Sequence, residues 1–168
     1  MRRLAQIVFF AVTLLGVGLA VQQHGTLPER VASHFNIDGQ PNGWMARDPY
    51  TGTQVGITLF VSILFFALAS FLPRVPDRFV NLPHRDYWLA PKRRAETFAW
   101  LTGMLLWLGA FLQVFLGWVF RESWRANLSP SPTLKMNSLW LQVSLAIMVM
   151  GLVFTLLARF RSPPGKSR

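Results

Sequence analysis

The chain has 168 residues, of which 52% are hydrophobic and 14% charged, an unusually apolar composition for a soluble domain. A net charge of +10 is typical of nucleic-acid binders, but the basic residues lie between apolar stretches and form no basic face, so nucleic acid is excluded as the expected partner. Because cysteine is absent, disulfides, thiolate nucleophiles and Cys-ligated metal sites are excluded as well.

Four uncharged apolar stretches are each long enough to cross roughly 30 Å of hydrocarbon as a helix. They run over Leu4–Val21, Val55–Leu72, Phe98–Phe120 and Leu139–Ala158. Apolar residues surround each stretch on all sides, so lipid or another helix must cover it. The predicted fold class is all-α: a four-helix transmembrane bundle with an ordered extracytoplasmic loop between helices 1 and 2.

The first stretch has a rival interpretation. Arg2 and Arg3, an apolar run and Gly18-Leu19-Ala20 resemble a secretory signal cleaved after Ala20. The run is longer than the core of an ordinary signal, and its removal would place the mature N-terminus outside. We therefore expect an uncleaved first span.

The distribution of Lys and Arg predicts the orientation, because positive residues near span ends are retained in the cytoplasm. Twelve of the 17 precede span one, lie between spans two and three, or follow span four. Both termini are therefore expected in the cytoplasm. The predicted units are 1–72, with two helices and an outer cap at 22–54; a basic cytoplasmic loop at 73–97; and a helical hairpin with a basic tail at 98–168.

The outer cap is too long for a simple connector. Pro28 suits the first turn of a short helix through Arg30 and Ser33, while Asp38-Gly39 and Asn42-Gly43 are strong turn signals. The sequence therefore predicts a compact, self-packed cap that displays a surface for a ligand or partner. The candidate binding residues are His34, Phe35, Asn36, Asp38, Gly39, Pro41, Gly43 and Trp44.

Metal binding is an alternative role for the cap, because His24, His34, Asp38 and Asp48 offer nitrogen and oxygen ligands. Their spacing matches no standard zinc pattern, and His84 lies across the predicted bilayer. A His34 that orders the turn by hydrogen bonding is favoured. We expect no metal and no cofactor.

Several residues set between spans one and two also form a recognisable pattern: Leu27, Pro28, Arg30, His34, Phe35, Asn36, Gly39, Pro41, Gly43 and Trp44. This pattern resembles the signature of the domain of unknown function 1648 family, with Ala32 where the family often has proline and Arg47 where lysine is usual. The resemblance implies a bacterial integral membrane protein, and so a place in the bacterial cytoplasmic (inner) membrane. It also implies a relation, through this module, to SdpI-type immunity and signalling proteins that protect a producer cell from a secreted toxin. The second module of those proteins is not recognisable in residues 98–168.

The basic loop contains aromatic residues followed by three cations. Such a cluster suits the anionic cytoplasmic leaflet, where each cation contributes about 1 kcal/mol. The predicted membrane anchor consists of Tyr87, Trp88, Lys92, Arg93 and Arg94. A docking site for a cytoplasmic partner is the alternative.

Within the spans, Gln113 and Gln142 lie at similar depth and are predicted to hydrogen-bond to each other. Gly109, Gln113 and Gly117 recur at spacing four along one face of span three, where another helix can approach closely. Helix packing is favoured for these residues, with ligand binding as the alternative. The spans contain no ionisable side chain, which argues against a pump or a proton-coupled carrier.

No catalytic motif such as HExxH, GxSxG or a phosphate-binding glycine loop is present, so we expect no enzyme. The favoured class is an accessory binding, sensing or immunity-type membrane protein that acts through the cap. Its expected partners are the lipid bilayer and a membrane protein or secreted peptide. A structural or assembly subunit is the main alternative, and a small-solute permease is a weaker one.

Overall fold

The computed structural model describes residues 2–135 and 138–161, leaving aside the side chains at positions 138, 139, 141 and 142. Its elements are α1 (Arg2–His24), β1 (Arg30–Phe35), β2 (Pro41–Ala46), α2 (Arg47–Phe71), two 3₁₀ turns (Leu72–Arg74 and Asp77–Phe79), α3 (Arg85–Trp88), α4 (Pro91–Asn127) and α5 (Ser138–Phe160). Helices α1, α2, α4 and α5 are long and apolar enough to cross a membrane, which confirms the four predicted spans.

Three of these helices form the core. Helices α1, α2 and α4 pack against one another, with small residues at the contacts that let the backbones approach closely. The buried centre of this packing consists of Ala5, Phe9, Ala69, Leu106 and Ala110. The end of the core where α1 ends and α2 begins is called the hairpin end below, and the opposite end, where α4 begins, the basic end.

Helix α5 lies beside this core. Its side chains are mostly exposed, and near its C-terminal end Phe160 is buried against Trp88 and Trp100. An apolar groove of about 400 Å³ lies between α5 and α4, where Leu152 and Leu156 of α5 line it. The predicted four-helix bundle is thus, over the described residues, a three-helix core with a peripheral fourth helix.

The cap contains a two-stranded antiparallel sheet, so the all-α prediction is wrong for this segment, as is the short helix predicted through Arg30 and Ser33. Strand β1 pairs with β2 in a register that places Ala32 opposite Trp44. Strand β2 alternates between partly buried and exposed residues, as expected where successive side chains point to opposite faces, and in β1 both Val31 and Ala32 are buried while Arg30 is exposed.

The boundaries of the cap and of the basic segment also differ from the prediction. Helix α1 continues to His24 and α2 begins at Arg47, which leaves only residues 25–46 for the cap. Pro91 occupies the first turn of α4, so the second half of the predicted basic loop is helical. The 37 residues of α4 span about 55 Å, more than the hydrocarbon thickness, which leaves both of its charged ends outside it.

A candidate recognition hairpin and an intramembrane cavity

One asparagine fastens β1 to the end of α4. The Asn127 side chain is 3% exposed, and its Oδ1 accepts a hydrogen bond from the Ala32 backbone N–H at 2.7 Å. Its Nδ2 donates to the Ala32 carbonyl at 3.0 Å and to the Ser123 carbonyl at 2.9 Å. Both polar groups of a fully buried strand residue are satisfied in this way, so the strand is held at a fixed position on the helix.

An apolar cluster also holds the base of the hairpin. Leu27, Val31 and Tyr50 are buried together, and Trp124 packs against them. The Trp124 indole N–H also donates to the Thr26 hydroxyl at 2.9 Å. The cluster joins residues from both ends of the hairpin to α2 and α4.

The turn of the hairpin is held by its own side chains and by the segment after α4. The Asn36 side-chain oxygen accepts hydrogen bonds from the backbone N–H groups of Asp38 at 3.0 Å and Gln40 at 2.8 Å. Gly39 has a φ of 75°, a conformation that favours glycine, and its carbonyl accepts a hydrogen bond from the Leu134 N–H at 2.8 Å. The turn is therefore tied to the rest of the molecule.

Four exposed side chains on this fixed backbone are called the exposed hairpin face: Arg30, His34, Ile37 and Trp44. Ile37 in the turn is 96% exposed, and Trp44 is 41% exposed with the Arg30 guanidinium 5.3 Å from its ring centre. The His34 side chain hydrogen-bonds to the side chain of Asn42 on the facing strand. An aromatic and a cationic group are thus in contact on the strands, and an aliphatic group is exposed in the turn.

The predicted cap residues thus fall into two groups. Asn36 and Gly39 build the turn, and Gly43 faces the His34 Cβ so closely that a side chain at this position would clash. Phe35 and Pro41 pair across the two strands, and Asp38 is exposed in the turn. His34 and Trp44 are the predicted residues that lie on the exposed hairpin face.

The candidate metal ligands do not converge. His24 lies 3.6 Å from the Asp48 carboxylate and hydrogen-bonds to the Thr51 hydroxyl at 3.0 Å, whereas His34 bonds to Asn42. Within residues 2–135 and 138–161, no group of three His, Asp or Glu side chains could hold a metal ion.

A small cavity lies inside the three-helix core near the hairpin end. It has a volume of about 30 Å³, and its walls include Gln54 and Thr58 of α2 and Gln113 of α4. Gln54 is 3% and Gln113 5% exposed. In the part of the chain that the structure describes, Gln54 Nε2 and both polar atoms of the Gln113 amide have no hydrogen-bond partner.

The other predicted packing residues lie in different surroundings. A Cβ on Gly109 would come within 2.9 Å of both Phe9 and Phe65, so this glycine allows the close approach of α1 and α2. Gly117 has open space around it at the edge of the cavity. The predicted hydrogen bond between Gln113 and Gln142 involves a side chain outside the described ones. Residues 162–168, which contain most of the predicted basic tail, also lie outside the described residues.

The predicted membrane anchor divides into buried and exposed parts. Trp88 is 4% exposed, which differs from the surface position expected of an interfacial anchor. Arg94 pairs with Asp77 at 2.9 Å and donates to the Pro73 and Val75 carbonyls, so its guanidinium ties the segment after α2 to α4. Arg93 stacks at 4.0 Å from the Tyr87 ring centre, and Lys92 is exposed.

Sequence reasoning missed Asn127 and the polar interior of α2. Tyr50, Gln54, Thr58 and Ser62 are all buried and spaced four residues apart, which places them on one face of α2. This periodicity is visible in the sequence. No comparable local signal exists for Asn127, since its partner lies 95 residues away.

Four apolar helices indicate a multi-pass membrane protein, and the hairpin is its most distinctive feature outside the helices. Residues 9–51 match the family model described as Domain of unknown function (DUF1648), which confirms the resemblance seen in the sequence over this segment. The match begins within α1, includes the whole hairpin and ends in the first turns of α2. No curated protein and no solved structure matches the chain.

Proposed function

We propose that this chain is an accessory binding or sensing protein of the bacterial cytoplasmic membrane and that the exposed hairpin face is its extracytoplasmic recognition surface. One observation carries the proposal. The hairpin backbone is fixed by Asn127, the apolar cluster and the Leu134 contact, whereas the side chains of the exposed hairpin face take part in none of these contacts. A preorganised surface binds at lower entropic cost than a mobile loop.

The orientation rests on the positive residues. Arg2, Arg3, Arg78 and Arg85 lie at the basic end or in the turns beside it, where Lys and Arg of a cytoplasmic face are expected. The hairpin lies at the opposite end of α1 and therefore faces out of the cell in this proposal. Both termini are then cytoplasmic.

The chemistry of the face favours a peptide or protein ligand. An indole with a guanidinium over it and an exposed isoleucine offer apolar contact and cation–π attraction, and tryptophan and arginine are the residues enriched where binding energy concentrates. We propose binding without catalysis. An immunity or signalling role toward a secreted peptide is the form that the family resemblance favours.

The proposal is tested by photocrosslinking from the hairpin turn in native membranes. A photoreactive amino acid replaces Ile37, and the crosslinked product is compared between the otherwise native chain and chains that also carry Trp44→Ala or Trp140→Ala. Trp140 is 66% exposed and serves as the matched control. We expect one product that is lost with Trp44→Ala and kept with Trp140→Ala. A product that survives Trp44→Ala, or no product, contradicts the proposal.

A second candidate is an assembly subunit, which the exposed surface of α5 favours. Ile147, Met150 and Phe154 are 64%, 70% and 74% exposed, and the groove beside α5 leaves room for a neighbouring helix. The test is copurification of a membrane protein with the chain. If this protein is lost when these three residues become alanine but is kept with Trp44→Ala, the result favours this candidate over hairpin recognition.

A further inference from the structure

The unpaired amide atoms in the three-helix core require an occupant. A buried polar atom without a partner costs about 1–3 kcal/mol, and three such atoms border the same cavity: Gln54 Nε2, Gln113 Nε2 and Gln113 Oε1. Both side chains are more than nine-tenths buried. Their amides therefore face a site that something must complete, since lipid offers the core no compensating hydrogen bonds.

The cavity limits what can complete it. Its volume of about 30 Å³ admits about two water molecules, or a polar group of roughly three non-hydrogen atoms, but no larger molecule. None of the residues that line it is charged. An ion would therefore lose its hydration without gaining a counter-charge, which excludes charged groups from the site.

The three unpaired amide atoms also restrict which chemical group can bind in the cavity. Two of them donate and one accepts, so the complementary group must accept and donate at once. Water, a primary amide and a hydroxyl all do both, and only the last two can also carry a hydrocarbon part. A carboxylate would leave Gln113 Oε1 unpaired, and an ammonium would leave the two N–H donors unpaired.

The open space beside Gly117 shows where the rest of a ligand can lie. Gly117 of α4 borders the cavity and has nothing within 4 Å of a Cβ, whereas Gly16 of α1, also at the cavity, faces the Thr58 side chain of α2. Leu19 is 40% exposed beside them and provides an apolar surface. An amphipathic molecule can thus place its polar group inside while its hydrocarbon part remains in the bilayer.

We propose that the cavity binds the neutral amide or hydroxyl head of a membrane-dissolved amphipathic molecule, which enters beside Gly117. The two glutamines hold the head, and Gly117 leaves the path open. This site is separate from the exposed hairpin face, so the proposal does not depend on recognition by the hairpin.

Photoaffinity labelling of the purified full chain in lipid nanodiscs tests the proposal. The probe is a dodecanamide that carries a diazirine and an alkyne, with dodecanamide, dodecanol, dodecanoate and dodecylammonium as competitors. The variants are Gln113→Leu, which removes the polar contacts, and Gly117→Leu, which fills the opening. Their controls are Gln22→Leu and Gly18→Leu, at exposed positions of α1 outside the cavity.

We expect labelled residues next to the cavity and competition by dodecanamide and dodecanol only. Apparent affinity should fall roughly tenfold or more in both cavity variants and stay unchanged in both controls, as the loss of one buried hydrogen bond implies. If Gln113→Leu no longer elutes as a folded protein, Gly117→Leu decides, because open space surrounds Gly117. Equal competition by the charged amphiphiles, or labelling unchanged in a folded cavity variant, overturns the proposal.

Discussion

At the scale of single residues, Asn127 has the most specific role in the hairpin. Replacing it with alanine removes three hydrogen bonds and leaves the N–H and carbonyl of the buried Ala32 without partners. We expect the Asn127→Ala variant to lose about 2–4 kcal/mol of stability, because each orphaned group costs about 1–3 kcal/mol. Unfolding by SDS titration from a mild detergent measures the loss.

Asn81→Ala is the matched control for this experiment, since Asn81 is exposed in the turn region before α3. Its stability should equal that of the native chain. An equal loss in the two variants would mean that the Asn127 contacts do not hold the hairpin.

Gly109 lies where the core has no room for an added side chain between α4 and the phenylalanines of α1 and α2. An added Cβ would lie 2.7 Å from a ring carbon of Phe9 and 2.8 Å from one of Phe65. Gly109→Ala should therefore destabilise the chain by about 1–3 kcal/mol through overpacking, although alanine favours the helix. The same SDS titration applies, with Gly151→Ala as control because nothing lies within 4 Å of a Cβ there. A stabilised Gly109→Ala would refute this packing.

At the scale of elements, the hairpin turn depends on the contact between Gly39 and Leu134. A Cβ on Gly39 would clash with the Leu134 carbonyl oxygen, and the residue has a positive φ. Positive φ alone costs alanine roughly 1–2 kcal/mol, so Gly39→Ala should raise amide hydrogen exchange in the turn by about tenfold or more.

Gly25→Ala provides the control for the turn, because the nearest atom to its Cβ is 4.0 Å away. Exchange in residues 36–40 should not change in this variant. Unaltered exchange in Gly39→Ala as well would show that the turn does not need the Leu134 segment.

The C-terminal end of α5 is held by a small aromatic cluster. Phe160 is 1% exposed and packs edge-on against Trp88. The Arg159 guanidinium lies over the same Trp88 ring, 4.6 Å from its centre. Phe160→Ala should release this end of α5, because deletion of a fully buried aromatic side chain removes most of its contacts. Phe154→Ala is the control, since Phe154 is 74% exposed.

Spin labels on Lys92→Cys and Arg161→Cys measure the release, and the cysteine-free chain makes their attachment specific. The distance distribution between the labels should broaden with Phe160→Ala and keep its width with Phe154→Ala. A narrow distribution in both variants would contradict the anchoring of α5 by this cluster.

The elements also differ in how far the sequence predicts them. The four spans follow from apolar length, which is a local property, and all four are present as helices. The strands depend on pairing between Ala32 and Trp44 and on the distant Asn127, so Pro28 and the following residues were interpreted as a helix. The signals at Asp38-Gly39 correctly indicate a turn, but they do not specify what the turn packs against.

At the scale of the whole molecule, the sequence predicts four spans but not their packing. Apolar residues surround every span, and only weak local cues, such as the spacing of Gly109 and the polar stripe of α2, mark faces that meet protein. The three-helix core and the peripheral α5 therefore come from the structure. The cavity between Gln54 and Gln113 does as well, since its walls come from three helices.

Recognition of an extracytoplasmic ligand requires the hairpin to face out of the cell and the basic end to face the cytoplasm. The most direct measurement is labelling of Ile37→Cys and Asp86→Cys with a membrane-impermeant maleimide in intact spheroplasts, because both side chains are almost fully exposed. We predict labelling of Ile37→Cys before permeabilisation and of Asp86→Cys only afterwards. The reverse pattern would place the hairpin in the cytoplasm and contradict its role in recognising an extracytoplasmic ligand.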